Sequence, residues 1–347
     1  MFAATPRTRL TLVTISPLLA LAIACRGGDG SRTTTVAVGA SVDTSRPSAT
    51  GTTKATTAPA KVAAPVTYES AEAAYSAGRY PEAVELFTTY TERKPENPWG
   101  FYMLGLASWK AGNLGQAEGA FDQALQLDPK HQKSLLNSAR VLIELGQTED
   151  ALERVQGALE IDSTSSEAWR LLGRAQVELG DTEEAIEAYR HAIALDDRDA
   201  WAMNNLGLIY IQQGRYTDAL APLARATQLK PGAPVFQNNL GQALERSGYP
   251  AAAETAYQAA LTADSSYQKA ALALERVAGR GEDSTAAQID LTTLARDFQT
   301  SVEQWRDEFA RAKADDNDQA SVTDTTPSDS MARDSMPDVV SGPDSAH

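Results

Sequence analysis

The chain has 347 residues, with 31 lysines and arginines against 46 aspartates and glutamates, a net charge of −15. That acid surplus argues against a nucleic-acid backbone as ligand, because phosphate binding needs clustered positive charge. One cysteine excludes an internal disulfide and, with only three histidines (His131, His191 and His347), argues against a zinc centre. The charge is unevenly spread: seven basic against two acidic residues over 1–66, 23 against 36 over 67–313, and Arg333 against eight aspartates from Ala314 onward.

Residues 1–24 read as an export signal. Arg7 and Arg9 form a basic start, and Leu10 to Ala24 is almost wholly apolar or small. Fifteen helical residues rise about 22 Å, short of a bilayer core of roughly 30 Å, so a cleaved signal fits better than a permanent span. The run Leu21-Ala22-Ile23-Ala24-Cys25 resembles the lipobox of bacterial lipoproteins, with Ala22 where that family more often has leucine. The resemblance implies lipidation of Cys25 and anchoring in the cell envelope, facing the periplasm or exterior. Several acyl chains hold firmly at about 0.8 kcal/mol per buried methylene. Residues 25–66 are rich in Thr, Ser, Ala, Gly and Pro and have too few large apolar side chains to offset ordering, so they are expected to be a disordered tether. Its mean reach is roughly 35 Å.

A repeat then begins. Gly78, Gly112, Gly146, Gly180, Gly214 and Gly248 stand 34 residues apart, and five residues behind each is an alanine: Ala83, Ala117, Ala151, Ala185, Ala219 and Ala253. Such a period marks a stack of two-helix units, each presenting the same turn and the same close contact to its neighbour. Units start near Ala64, Pro98, Gln132, Ser166, Ala200 and Pro234. The first helix, A, carries apolar or small residues at unit positions 4, 7, 8 and 11, as in Phe101, Leu104, Gly105 and Ser108. The period glycine suits a left-handed turn. Asn97 before Pro98 reads as an N-cap, and Pro81 and Pro234 as first-turn residues. The second helix, B, has small residues at unit positions 20 and 27, with Tyr90 as an exception and Pro222 expected to bend its helix. Gln268–Ala278, with Ala271, Leu272, Leu274 and Val277, is expected to cap the stack, ended by Gly279 and Gly281.

Phe101-x-x-Leu104-Gly105, Gly112, Ala117, Phe121, Ala124 and Pro129 resemble the tetratricopeptide repeat signature, as do Trp169-x-x-Leu172-Gly173 and Leu206-Gly207-x-x-Tyr210. The resemblance implies an all-α, right-handed α-solenoid of six helix pairs plus a capping helix over residues 67–279. It also implies a concave groove lined by helix A, where peptides or partner helices bind. Steps of three and four along helix A put unit positions 2, 5, 9 and 12 on one side. Tyr68, Tyr75, Trp99, Tyr102 and Trp109 form an aromatic stretch there. Arg140, Arg170 and Arg174, with Asn137 alongside, form a cationic one, and Trp201, Asn204, Asn205, Asn238, Asn239 and Gln242 an amide-rich one. Arginines pair bidentately with carboxylates, amides bond an extended backbone, and aromatics bury apolar side chains at low entropy cost. The family's carboxylate clamp is echoed by Arg170, Arg174 and Asn205, but Val235 and Asn239 lack the cations of its third element.

After the cap, residues 284–313 read as an amphipathic helix with a Thr285-x-x-Gln288 capping box. Its stripe of Leu291, Leu294, Phe298, Val302, Trp305 and Phe309 is a seam for another helix. Three destinations follow: the chain's own solenoid, including the groove, where it would be autoinhibitory; a second copy, giving a homodimer; or a partner. Residues 314–347 are expected to be an acidic disordered tail. No nucleophile elbow, phosphate loop, haem motif or histidine pair at metal spacing is present, so no enzyme, cofactor or metal is expected. The expected function is an envelope-anchored scaffold for protein or peptide partners. A self-assembling homo-oligomer, or an assembly factor for a pilus or secretion pore like lipoproteins of similar build, are the alternatives.

Overall fold

The computed structural model describes residues 66–278 and 288–323, with side chains described as far as Asp315. The export signal, Cys25 and its tether, Thr285 with the closing Gly279 and Gly281, and the tail beyond Thr323 lie outside the described residues.

All regular structure among the described residues is helical. The six pairs are α1 (Tyr68–Ser76) with α2 (Tyr80–Arg93), α3 (Pro98–Lys110) with α4 (Leu114–Leu127), and α5 (Gln132–Leu145) with α6 (Thr148–Ile161). They continue with α7 (Ser166–Leu179) and α8 (Thr182–Leu195), α9 (Ala200–Gln212) and α10 (Tyr216–Leu229), and α11 (Pro234–Arg246) and α12 (Pro250–Ala263). The cap is α13 (Gln268–Val277), and α14 (Leu291–Thr323) follows.

The local signals act as the sequence predicts. All six period glycines have positive φ, from 72° to 89°. At Gly180 (φ 89°) an added Cβ would meet nothing within 4 Å, so the backbone conformation alone requires glycine. Gly207 answers a different need, since a Cβ there would lie 2.5 Å from Leu223 Cγ. That glycine lets α9 close onto α10. The period alanines are fully buried for the same reason. Asn97 accepts the Trp99 N–H at 3.0 Å and caps α3. Tyr90, large where other units have alanine, is accommodated half-buried, its hydroxyl accepting from Asn97 Nδ2 at 2.9 Å. Helix α10 continues through buried Pro222 from Tyr216 to Leu229.

Two packing expectations are corrected. The buried face of α7 is Ala168, Leu171, Gly173 and Ala175, while Trp169 and Leu172 are half-buried. Helix A is clasped by its own B helix and by neighbouring units, so its buried sector is wider than a single four-position stripe and rotated from it. The cap repeats this pattern: Ala270, Ala273 and Val277 are buried, whereas Leu272 is 65% exposed.

Successive A helices touch directly, α3 with α5, α5 with α7, α9 with α11 and α11 with α13. The A side is therefore the tighter, concave wall, and the B helices form the outer face. Helix α14 docks on that outer face, against α8 and α10. Ala295, Phe298 and Val302 are buried there, with Trp305 packed on the same cluster and Leu291 and Leu294 on the next. The groove is not its destination. Its start also differs: Gln288 is not helical, and Asp290 caps instead, accepting the N–H groups of Thr292 (3.0 Å) and Thr293 (3.1 Å). Its end runs to Thr323, so the first ten residues of the expected disordered tail are helical.

Candidate functional site

Each unit contributes its A helix to the concave wall, and the three expected stretches behave differently. In the aromatic stretch most rings are consumed by packing on each other. Tyr68 meets Phe87 and Tyr90 edge-on at 5.7 and 5.6 Å, Tyr75 meets Tyr80 at 5.6 Å, and Tyr102 is buried. Trp109 donates its indole N–H to Glu144 at 2.9 Å, one unit along. Trp99 differs: it is 45% exposed, edge-on to His131 at 4.5 Å, with the Lys133 ammonium 5.3 Å from its ring. His131 accepts the Ser134 N–H at Nδ1, and burial pushes its pKa down, so the ring caps α5 in its neutral form.

The cationic stretch is the one that concentrates charge. Arg140 Nη1 donates to buried Asn137 at 2.8 Å, and its other arm pairs with Glu167. Arg170 Nε donates to Asp199 at 2.8 Å, while the other oxygen of Asp199 accepts the N–H groups of Trp201 and Ala202 and so caps α9. Arg174 has no ion pair among the described residues. Burial, and the nearby positive charges of Arg170 and Arg174, lower the Arg140 pKa to about 10. Arg140 thus stands close enough to Arg170 and Arg174 to feel their charge, while Glu167 pairs with Arg140 and Asp199 with Arg170.

The amide stretch is corrected. Asn204, Asn238 and Asn239 are buried at 3%, 8% and 7% exposure, and Asn137 is buried as well. Asn239 Nδ2 donates to Asn204 Oδ1 at 3.0 Å, Asn204 to Asn205 at 3.3 Å, and Asn205 to the Tyr189 hydroxyl at 3.3 Å. Asn204, Asn205 and Asn239 thus fasten unit to unit rather than wait for a ligand, while Asn238 bonds only to Asn239 of its own helix. At unit positions 5 and 6 the helical step turns them toward neighbouring units, Asn204 to α11 and Asn205 to α8. Trp201 remains 44% exposed, edge-on to Phe236 at 4.8 Å.

A tetratricopeptide repeat family model matches residues 58–98. A second, described as the cilia and flagella-associated protein 70 C-terminal domain, matches residues 97–308, well over half of the chain. The chain belongs to the tetratricopeptide repeat family. The match runs into α14 and ends at residue 308, so it takes in only the first part of that helix. A tetratricopeptide repeat protein structure from Parabacteroides merdae is 16% identical with a TM-score of 0.53, covering 62% of this chain and 86% of its own. The Cut9–Hcn1 hetero-tetramer of APC/C is 18% identical with a TM-score of 0.54, covering 60% of this chain and 41% of that one. A crystal structure of MamA is 28% identical over 48% of this chain and 97% of its own, with a TM-score of 0.42. The first two likenesses show the fold. No curated protein matches the sequence.

At one part of the concave wall, two expected groove residues, Asn238 and Gln242, are joined by three cations that the sequence did not single out. Asn238, Gln242, Arg246, Lys269 and Arg276 line a polar cavity of about 330 Å³ at the junction of unit 6 and the cap. Arg276 is held by Glu245 at 2.7 Å, whereas Arg246 and Lys269 have no ion pair among the described residues. The signal was present in Lys269, at unit position 2 of the cap. It was missed because the cap was read for its apolar face alone.

Proposed function

We propose that this chain is a lipid-anchored scaffold of the bacterial cell envelope whose concave wall grips an extended partner segment bearing carboxylates. The observation that carries the reading is the crowding of Arg140, Arg170 and Arg174, with Arg174 lacking an acidic partner among the described residues. An incoming carboxylate relieves that repulsion and accepts paired N–H donors from a planar guanidinium. Arg246 and Lys269 offer a second cationic point further along, and Trp99 and Trp201 offer exposed rings for apolar side chains. Lipidation at Cys25 and the tether from residue 26 would let the solenoid work away from the membrane surface.

The reading is tested by crosslinked capture from native envelopes, comparing the wild-type chain with an Arg140/Arg170/Arg174→Ala variant. The arginine variant is expected to lose the principal crosslinked protein, and an identical protein list for both would sink the groove assignment. A Cys25→Ser chain is expected to be freely soluble, and persistent membrane retention would count against lipidation. Self-assembly through the last helix is the weaker reading, because Phe298 and Val302 of its seam are buried against the same chain.

A further inference from the structure

Helix α14 is seated tightly at its middle and loosely further on. Phe298 and Val302 are buried at 5% and 1% exposure, Phe309 is half-buried, and Ala310 and Lys313 are exposed. Where the helix parts from the solenoid it leaves a cavity of about 350 Å³, walled on the other side by the end of α8 and the turn into α7. That size falls at the small end of ligand sites, which run from about 300 to 1,000 Å³.

Most of the wall is apolar. Trp169, His191 and Phe309 stack in that order, at 4.2 and 3.6 Å, and all three line the cavity. Trp169 is fixed besides, its indole N–H donating to the Ser163 carbonyl at 2.9 Å. These rings are therefore held in place before any ligand arrives. Leu195 adds a large apolar side chain that is 42% exposed, more apolar surface for a ligand to cover.

The charge around the cavity is positive. Arg306 and Lys313 line it, and among the described residues no carboxylate does. Arg306 is already engaged: Nε donates to the Ala194 carbonyl at 2.6 Å, and Nη2 pairs with Asp197 at 3.0 Å. Lys313 has no ion pair among the described residues, so its ammonium is the uncompensated charge. Its methylenes can lie along the apolar wall while the ammonium stays at the rim.

We propose that this cavity binds a small amphipathic anion, with an apolar body against Trp169, Phe309 and Leu195 and a carboxylate paired with Lys313. Such a ligand bridges α14 and the turn into α7, so it holds down the part of the helix that packs least. The site lies on the outer face and stands whether or not the concave wall grips a partner.

The test titrates the full chain with decanoate, followed by calorimetry and hydrogen exchange. At ten times the dissociation constant, exchange over 305–315 is expected to slow about tenfold, with α11 unchanged. Octanoate should bind roughly tenfold more weakly, because each buried methylene contributes about a fourfold change. Decylamine has the same apolar body and the opposite charge, and is expected to bind at least about tenfold more weakly than decanoate. Lys313→Glu should reverse that preference, and Ala310→Phe, which fills the cavity from an exposed position, should abolish binding of both. Both variants alter exposed residues, and unliganded exchange of α9 checks that each keeps its fold. No protection at millimolar decanoate, equal affinity for decanoate and decylamine, or a preference that survives Lys313→Glu would each overturn the proposal. So would binding that persists in Ala310→Phe.

Discussion

Trp169 and Arg170 are consecutive in α7 yet serve opposite sides of the solenoid wall. The Trp169 indole stacks on His191 at 4.2 Å, and His191 stacks on Phe309 of α14 at 3.6 Å. Arg170 reaches the other way, to Asp199 on the concave wall. The docked helix and the cationic stretch therefore share one turn of α7, so the seating of α14 also fixes the backbone that presents Arg170.

Phe309→Ala is expected to loosen α14 while leaving the solenoid folded. The lost ring is half-buried and covers one face of the imidazole, so about 2 kcal/mol of docking free energy is at stake. Hydrogen exchange over 291–315 should accelerate roughly thirtyfold, with α9 and α11 unchanged. Unchanged protection of α14 would show that Phe298 and Val302 alone hold it.

Docking of α14 should weaken in mild acid. Burial is the largest influence on His191 and lowers its pKa, with Arg190 adding to the lowering and Glu187 and Glu308 opposing it. Arg190 also lies over Trp305 at 4.9 Å, and Arg306 with its Asp197 partner completes the charges nearby. The undocked histidine takes a proton near its ordinary value of about 6.5, the docked one only at lower pH. Protons therefore favour the undocked form, and stability rises with pH through this window. Exchange of α14 should speed up from pH 7.5 to pH 5.5, and His191→Gln should flatten that dependence. His131 shifts in the same direction, so a global melt cannot separate the two, whereas local exchange of α14 can.

The two glycine classes predict different repairs. Gly180→Ala places a side chain at positive φ in open space, at about 1 kcal/mol, and Gly180→Asn should cost less because asparagine tolerates that region. Gly207→Ala puts a methyl 2.5 Å from Leu223 and should cost about 1–3 kcal/mol. Leu223→Val should partly rescue Gly207→Ala and do nothing for Gly180→Ala. Urea denaturation of the four chains checks this, and equal rescue of both would contradict the assigned roles.

The solenoid was legible because identical units repeat their turn glycines and small packing residues, so chance agreements average out. The site was less legible. Asn204 and Asn239 have the same side chain whether they face a ligand or each other, and only the register between α9 and α11 decides. The seam of α14 was readable from Phe298 and Val302, but its destination depends on the trough between α8 and α10, a surface that no local pattern encodes. Its start was misread because the Thr285-x-x-Gln288 spacing competes with Asp290, which makes the cap at the described helix start.

The asparagine ladder makes a last prediction about how the array comes apart. Asn239 donates to Asn204 across the junction of units 5 and 6, and both are buried. Asn239→Ala leaves the Asn204 carbonyl without that donor in a site nearly closed to water, at a cost of about 1–3 kcal/mol. Repeat arrays hold together by nearest-neighbour interfaces, so the loss should fall on one junction. Unit 6 and the cap are then expected to melt first, splitting a single urea transition into two. Changing both asparagines to leucine removes the orphaned acceptor and should destabilise less than Asn239→Ala alone. A double variant as costly as the sum of its parts would mean that the amides are solvated, and would reopen the concave wall at units 5 and 6 as a ligand surface.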